Sequence, residues 1–238
     1  MIRVCPDQES LSRAAAELFA EEARHAVQSR GRFSVALAGG ETPRRTYEIL
    51  AQSPFRELVP WRETHIFWGD ERCVAVDDPR SNARMARLAL LDQVPVPATQ
   101  IHPMACDRSL LEAAGEYETL LSEFFAATSP RFDLVFLGLG EDGHTASLFP
   151  GAATLQELQR RVVEHISPGE GLHRLTLTVP AINGAALVVF MVSGSGKAPI
   201  LRDVLEGAPE TAFLPARLIK PTEGRLLWLV DRDAASLL

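Results

Sequence analysis

The run FDLVFLGLGEDGHTASLFPG occupies positions 132–151 and joins a predicted strand to a cluster of reactive side chains. Residues 134–137 are continuously apolar, which is typical of a strand that is buried on both faces of a parallel sheet. Glycines then allow the backbone to turn, and Asp142 and His144 lie within that turn. Because ligands bind at the carboxyl ends of strands in open α/β sheets, we expect the chemistry of the protein here.

The flanking sequence alternates between strands and helices. Four predicted strands are each followed by a turn that contains glycine, at 33–38, 65–68, 133–137 and 186–192. Further strands are predicted at 3–5, 101–102, 162–166, 175–179 and 226–230. A parallel sheet places the four glycine turns on one edge. The alternation predicts an α/β fold with a doubly wound, mostly parallel, Rossmann-like sheet and helices on both faces.

Capping residues predict where the helices begin and end. Ser10 is expected to cap the first long helix and Gly31 to end it. Pro43 is expected to be the first residue of the second helix, where its missing N–H costs nothing. Ser81 is expected to begin a third helix and Asp233 to cap a short final one. Other helices are predicted at 109–127 and 199–205.

Composition and charge exclude some classes of partner. The 238 residues carry a formal net charge of -7, whereas nucleic acids and anionic membrane surfaces attract basic proteins. The sequence shows neither a secretion signal nor an apolar run near the roughly 20 residues of a membrane helix. We therefore expect a soluble cytoplasmic protein with one domain over residues 1–238, with or without a smaller subregion near 150–180. A monomer or a small homo-oligomer is expected.

The cysteines do not form a recognisable pattern. Cys5, Cys73 and Cys106 are far apart, without a C-x-x-C motif or a paired Cys/His spacing. Neither a disulfide framework nor a structural zinc site is expected.

Two of the turns have the composition of a phosphate-binding loop. Residues 39–42 and 193–197 combine small residues, hydroxyls and a following helix N-terminus, whose N–H groups and dipole favour an anion. A single loop of this kind is more often only a tight turn, but their convergence at one edge suggests a phosphorylated substrate. Lys197 is not a Walker lysine, because Met191 replaces the first glycine of that motif and Ala198 its hydroxyl residue.

The spacing G-x-G-x-x-G at 138–143 also matches the dinucleotide-binding pattern, with Glu164 about 20 residues further on. In that pattern the third glycine lets a helix pack closely on the strand. Here it stands between Asp142 and His144, which are poor packing residues. We therefore disfavour a dehydrogenase.

His144 is the candidate general base. Imidazole takes up a proton near neutral pH, and a neighbouring carboxylate could orient it to activate water. Asp70, Glu71 and Arg72 follow another predicted strand, where they could equally form a solvated strand end with a local ion pair. The other histidines have no comparable setting and are interpreted as structural or surface residues: His25, His65, His102, His165 and His173.

Several blocks together resemble the glucosamine-6-phosphate isomerase/6-phosphogluconolactonase family, and its lactonases in particular. The block at 138–150 follows the pattern G-x-G-x-D-G-H-T-A-S-L-F-P and is highly specific. The other blocks run in family order over nearly the whole chain, at 38–43 (family pattern S-G-G-x-T-P), 68–72, 81–82, 174–180 with Asn183, and 194–198 (G-x-x-K-A).

The resemblance implies hydrolysis of 6-phospho-D-glucono-1,5-lactone to 6-phospho-D-gluconate without a metal or organic cofactor. This is the second step of the oxidative pentose phosphate pathway, in carbohydrate metabolism. By motif position His144 would be the base on water, and Asp142 or Asp70 would orient that base or the water. Arg72 would face substrate charge, either the phosphate or the oxyanion. The phosphate side would comprise Gly39, Gly40, Thr42, Arg174 and Lys197.

Glu41 departs from the family pattern, in which Ser is common at this position. A phosphate would repel this carboxylate unless it points away or pairs with Arg44 or Arg45. Only a side-chain contact to phosphate at position 41 is placed in doubt, because the backbone N–H groups remain.

Two alternatives remain to be weighed. Amino-sugar-phosphate isomerases/deaminases share the D-G-H block but carry a Glu five residues after the histidine, where this chain has Phe149. A non-catalytic sugar-phosphate-binding protein would keep the pocket but would not require both Asp142 and His144.

Overall fold

A sheet of parallel strands forms the centre of the molecule. The computed structural model describes residues 1–125, 131–166, 171–208 and 213–238. The strands within these ranges are β1 (Ile2–Cys5), β2 (Phe33–Leu37), β3 (Thr64–Trp68), β4 (Asp70–Arg72), β5 (Leu134–Leu137), β6 (Val162–Ile166), β7 (His173–Leu177), β8 (Leu187–Val192) and β9 (Arg225–Asp231). The central sheet has the order β1-β9-β8-β5-β2-β3, and its strand pairs are parallel.

Helices connect these strands. They are α1 (Gln8–Arg30), α2 (Glu41–Leu50), α3 (Phe55–Leu58), α4 (Asn82–Ala86), α5 (Leu110–Phe125), α6 (Val179–Asn183) and α7 (Ala198–Glu206). A π-helical turn, Arg87–Leu91, continues α4. None of the helices within the described ranges is long and apolar enough to cross a membrane.

The central strands are covered on both faces, as their continuous apolar sequence predicts. On β5, Leu134 and Phe136 belong to the hydrophobic cluster that contains α1 and α2. The alternate residues, Val135 and Leu137, belong to the cluster that contains α5. Every residue of β5 is buried. The predicted doubly wound α/β fold with helices on both faces is therefore confirmed.

A second, antiparallel sheet has the order β4-β7-β6. Only Gly69 separates its strand β4 from the edge strand β3, so the chain leaves one sheet and enters the other within the sequence Trp68-Gly69-Asp70. The register places Arg72 opposite Arg174. This small sheet thereby brings together charged residues that lie about a hundred positions apart.

Several predicted helix ends differ from those observed. The cap of α1 is Asp7 rather than Ser10, because the Asp7 carboxylate accepts a hydrogen bond from the Ser10 backbone N–H at 2.7 Å. Gly31 ends α1 in the left-handed conformation, as predicted. Pro43 is not the first residue of α2, which begins two residues earlier after a Gly40 cap. The helix begun by Ser81 is confirmed.

Other predicted elements are shorter than expected or are displaced. Residues 232–238 form turns instead of a final helix, and the first of these turns is capped by Asp231 rather than Asp233. Ile101 makes an isolated bridge to Ile66 instead of a strand. The helix predicted at 109–127 is observed from Leu110 to Phe125, and residues 126–127 of the prediction lie outside the described ranges. The predicted strand 175–179 is β7, which begins and ends two residues earlier.

Cys73 and Cys106 form a disulfide, which the sequence analysis did not expect. Cys73 follows β4 and Cys106 lies in the loop before α5, so a tertiary contact rather than a short sequence spacing brings them together. The bond closes a loop across a separation of 33 residues. Cys5 is a free, buried thiol.

Replacing Cys73 and Cys106 by serine is expected to lower the free energy of unfolding by about 2–4 kcal/mol, because the unfolded chain regains the entropy of an open loop. Denaturant unfolding of the oxidised protein, the reduced protein and the double variant measures this difference. The reduced protein should match the variant. Identical midpoints for the oxidised and reduced proteins would show that the bond contributes no stability.

Two histidines that were interpreted as structural or surface residues meet beside α5. His65 Nδ1 lies 3.2 Å from His102 Nε2, and both rings pack against Phe124. Burial, followed by repulsion from His65, lowers the pKa of His102 to about 4. Burial and the charge of Arg32 also lower the pKa of His65.

Acid is therefore expected to destabilise the protein through this pair. The pKa of His102 is lower in the folded protein than its unfolded value of about 6.5, so the unfolded chain binds more protons and stability falls from about pH 6.5 towards pH 4. After allowance for partial exposure, we expect the wild type to lose about 1 kcal/mol more than His102→Gln between pH 7 and pH 5. Denaturant titrations at both pH values measure this, and equal losses would contradict it.

Candidate active site

A cleft of about 590 Å³ opens at the carboxyl edge of the central sheet. Most of the residues that the sequence analysis assigned to a site line it: Gly39, Gly40, Thr42, Asp70, Arg72, His144, Arg174 and Lys197. Asp142 is not among the lining residues, but its carboxylate lies within hydrogen-bond distance of the His144 ring. The structure thus brings together residues from turns that are widely separated in the sequence.

Asp142 is the hydrogen-bond partner of His144. Its Oδ1 accepts the His144 backbone N–H at 3.0 Å and lies 2.6 Å from the ring Nδ1. Partial burial pushes the pKa of Asp142 upward, but hydrogen bonds from the His144 backbone and ring outweigh it and hold this pKa below its ordinary value. An ionised Asp142 that accepts the Nδ1 proton leaves Nε2 as the basic nitrogen of the neutral ring.

Glycine at position 140 makes room for the imidazole. A Cβ added to Gly140 would lie 2.0 Å from His144 Nδ1. The Gly140 N–H also donates to the His144 carbonyl at 2.8 Å, and the Gly143 N–H donates to the Gly140 carbonyl at 3.1 Å. Gly143 has a φ of 81°, a conformation that favours glycine. The G-x-G-x-x-G spacing is therefore explained by a turn that supports His144.

Phe149 packs against the catalytic candidate. Its ring centroid lies 4.6 Å from that of His144 and 5.0 Å from that of His165, and the Arg174 guanidinium lies 5.5 Å from it. In the sequence, Phe149 was notable only because isomerases/deaminases carry a Glu at this position. His165 was interpreted as a structural or surface residue. The L-F-P end of the central block was the available signal for this aromatic contact.

Asp70 occupies a different environment from Asp142. It is 6% exposed and accepts the Ser147 hydroxyl at 2.6 Å and the Asn82 amide at 3.3 Å. Arg174 Nη1 lies 4.0 Å from its carboxylate oxygen Oδ2. Of the two acids that the sequence offered as partners of the base, Asp142 is the one hydrogen-bonded to His144.

Glu71 is a buried organiser of this edge that sequence reasoning did not assign. It accepts the backbone N–H groups of Arg72, Asn82 and Ala83 and the hydroxyl of Ser81. Burial raises the pKa of Glu71 despite these hydrogen bonds. Because Glu71 is only 4% exposed, the interpretation of this segment as a solvated strand end is wrong.

Arg72 is directed by the loop that follows β4. Its guanidinium donates to the Arg80 carbonyl at 2.7 Å, and its backbone N–H donates to Glu71.

Asn82, the neighbour of Asp70, lies against Gly39, where an added Cβ would be 2.0 Å from the Asn82 amide oxygen. The first glycine loop and the β4 segment are therefore fitted to each other.

The cationic residues of the cleft come from the small sheet and from the loop after β8. Arg174 lies on β7 and is 7% exposed. Lys197 precedes α7, and its Nζ lies 4.0 Å from the exposed Glu141 carboxylate. Glu41 pairs with Arg44 at 2.5 Å, which meets the condition that the sequence analysis set for a carboxylate in this loop.

Comparison with known proteins supports the family resemblance. Residues 6–228 match the family model described as Glucosamine-6-phosphate isomerases/6-phosphogluconolactonase. The chain belongs to this family. The family description covers two activities, so the individual relatives carry further information.

The similar proteins include named lactonases. A 6-phosphogluconolactonase from Synechocystis sp. is 46% identical over 88% of this chain and 86% of its own length. One from Nostoc sp. is 40% identical over 99% of this chain and 97% of its own length. The solved structure of 6-phosphogluconolactonase from Trypanosoma brucei superimposes with a TM-score of 0.91 at 30% identity, covering 100% of this chain and 98% of that one.

Proposed function

We propose that this chain hydrolyses 6-phospho-D-glucono-1,5-lactone to 6-phospho-D-gluconate, the second step of the oxidative pentose phosphate pathway. The observation that carries the proposal is the His144–Asp142 pair at a cleft that Arg174 and Lys197 also line. The similarity to named 6-phosphogluconolactonases supports it. The site belongs to a single domain spanning 1–238, in a cytoplasmic enzyme that acts as a monomer or a small homo-oligomer.

The hydrolysis needs a base for water, and His144 fills that role. Nε2 takes a proton from water while the water oxygen bonds to the lactone carbonyl carbon, and the carbonyl electrons move to its oxygen. Collapse of this tetrahedral oxyanion breaks the bond to the ring oxygen, which takes the proton back from the His144 imidazolium and becomes the C5 hydroxyl. Asp142 orients the ring and stabilises the imidazolium that forms between these steps.

Charge is the second requirement of the reaction. Arg174 and Lys197, with the backbone of Gly39, Gly40 and Thr42, hold the phosphate of the substrate. Arg72 lines the same cleft and faces either the phosphate or the oxyanion. Binding energy from the remote phosphate positions the lactone carbon beside the base. No metal or organic cofactor is required for these steps.

The environment of His144 disfavours isomerisation of an amino-sugar phosphate. The position that carries a glutamate in those enzymes holds Phe149, whose ring lies against His144. An aromatic ring cannot move the proton that an aldose–ketose conversion requires. A protein that only binds sugar phosphate would not need a histidine held by Asp142.

His144→Ala is expected to lower the catalysed rate about 10²–10⁴-fold, because water loses its base. Glucose-6-phosphate dehydrogenase and NADP can generate the lactone in situ, and proton release above the spontaneous rate measures hydrolysis. His173→Ala, on the exposed start of β7, is the matched control and should retain activity. Circular dichroism checks the fold, and full activity in folded His144→Ala would remove this residue from the mechanism.

Lys197→Ala is expected to raise KM for the phosphorylated lactone roughly 10–100-fold with a small change in kcat, because a charge-assisted contact to phosphate is lost. Steady-state kinetics in the same assay measure both constants. The exposed Lys220→Ala is the matched control. A lower kcat with an unchanged KM would contradict the phosphate assignment.

A further inference from the structure

Asp231 is a buried carboxylate outside the cleft that holds one of its loops. It is the last residue of β9 and is 4% exposed. The parallel register pairs Val192 of β8 with Val230 of β9. The loop that leaves β8 at Ser193 therefore begins directly beside the Asp231 side chain.

The Asp231 carboxylate accepts hydrogen bonds from the loop after β8 and from the turn after β9. It accepts the Ser193 hydroxyl in a short hydrogen bond. Both of its oxygens lie 3.1 Å from the Gly194 backbone nitrogen. Its Oδ1 also accepts the Ala234 backbone N–H at 2.8 Å. The loop after β8 and the turn after β9 are thus tied to the same carboxylate.

These contacts fix the path of the loop that carries Lys197. Gly194 has a φ of 95°, in the region that favours glycine, and its N–H points to Asp231. Its carbonyl accepts the Lys197 backbone N–H at 3.0 Å. Lys197 then leads into α7. The position of the Lys197 backbone therefore depends on Gly194, which is hydrogen-bonded to Asp231.

We propose that Asp231 is a positioning residue for the phosphate-binding loop, and this rests on the proposed function. Asp231 holds Ser193 and Gly194 so that Lys197 meets the substrate phosphate without a loop rearrangement. The Ser193 hydroxyl and the Gly194 N–H both donate to Asp231. These two donors therefore stabilise the loop and are not available to the substrate phosphate. Its own charge is compensated by the donors around it.

The presence of a carboxylate rather than an amide or a methyl group at position 231 has a testable consequence. An asparagine at 231 could accept from Gly194 with its oxygen and donate to Ser193 with its amide, but without charge assistance. An alanine would lose every one of these hydrogen bonds. Asp233, two residues further on, is exposed, and within the described residues its side chain makes no hydrogen bond to the loop after β8, so Asp233→Ala is a matched control.

The test measures phosphate recognition in two independent ways. Steady-state kinetics give KM and kcat for the phosphorylated lactone, and isothermal titration with inorganic phosphate gives a Kd that does not depend on turnover. For Asp231→Ala we expect KM and Kd each to rise roughly tenfold, with kcat changed less than about twofold. Asp231→Asn should show a rise of about threefold. Asp233→Ala should match the wild type.

Several outcomes would overturn the inference. Unchanged KM and Kd in folded Asp231→Ala would do so, as would a fall in kcat with unchanged KM, which is the pattern of a merely structural residue. If Asp231→Ala does not fold, unchanged constants in Asp231→Asn decide against the inference. If the wild type binds phosphate but does not hydrolyse the lactone, weaker phosphate binding by Asp231→Ala still supports the positioning role while the proposed function fails.

Discussion

Burial of the central strand on both faces is the constraint on which the rest of the structure depends. The residues of β5 alternate between two hydrophobic clusters, and the strand has no solvent-facing side. Such a strand is stable only in a sheet with helices on both faces, and the crossovers then bring its carboxyl end beside those of β2 and β8. The candidate catalytic and binding residues lie on different turns, and they meet because this one strand is buried on both faces.

The carboxylates at this edge divide into two kinds of role. Glu71, Asp70 and Asp231 are buried, and each accepts backbone N–H, hydroxyl or amide groups that shape a neighbouring loop. Asp142 is about half exposed and contacts the histidine ring. Hydrogen bonds from several donors to a buried carboxylate hold a loop in place, whereas Asp142 contacts the imidazole and is proposed to set which ring nitrogen is basic. The loops of the cleft are thus held in place by hydrogen bonds to buried carboxylates.

The sequence predicted the features that depend on local pattern. Continuous apolar runs predicted the central strands, and glycine turns with Asp142 and His144 predicted the edge where the cleft lies. Capping was less certain because Asp7 and Ser10 are both good capping residues within the same few positions. The Cys73–Cys106 bond could not be predicted, because two loops must first be brought together by the fold.

The buried residues that hold the loops of the site, Asp231 and Glu71, were the hardest part of the site to predict from the sequence. The contacts of Asp231 with Ser193 follow from the register of β8 and β9, and a single sequence does not fix that register. A solvated strand end was an open alternative for Glu71, whereas the structure buries its carboxylate at the start of α4. The hydrogen-bond partners of Asp231 and Glu71 are set by tertiary contacts, which the periodicity of the sequence does not reveal.

The central claim is that Asp142 fixes the tautomer of His144 and leaves Nε2 as the base. Imidazole ¹⁵N NMR of the wild type, at a pH where the ring is neutral, tests it most directly. The account predicts a protonated Nδ1 and an unprotonated Nε2 for His144, with this preference weakened in Asp142→Asn. A protonated Nε2 in the wild-type protein would contradict the account, because that nitrogen could not then accept a proton from water.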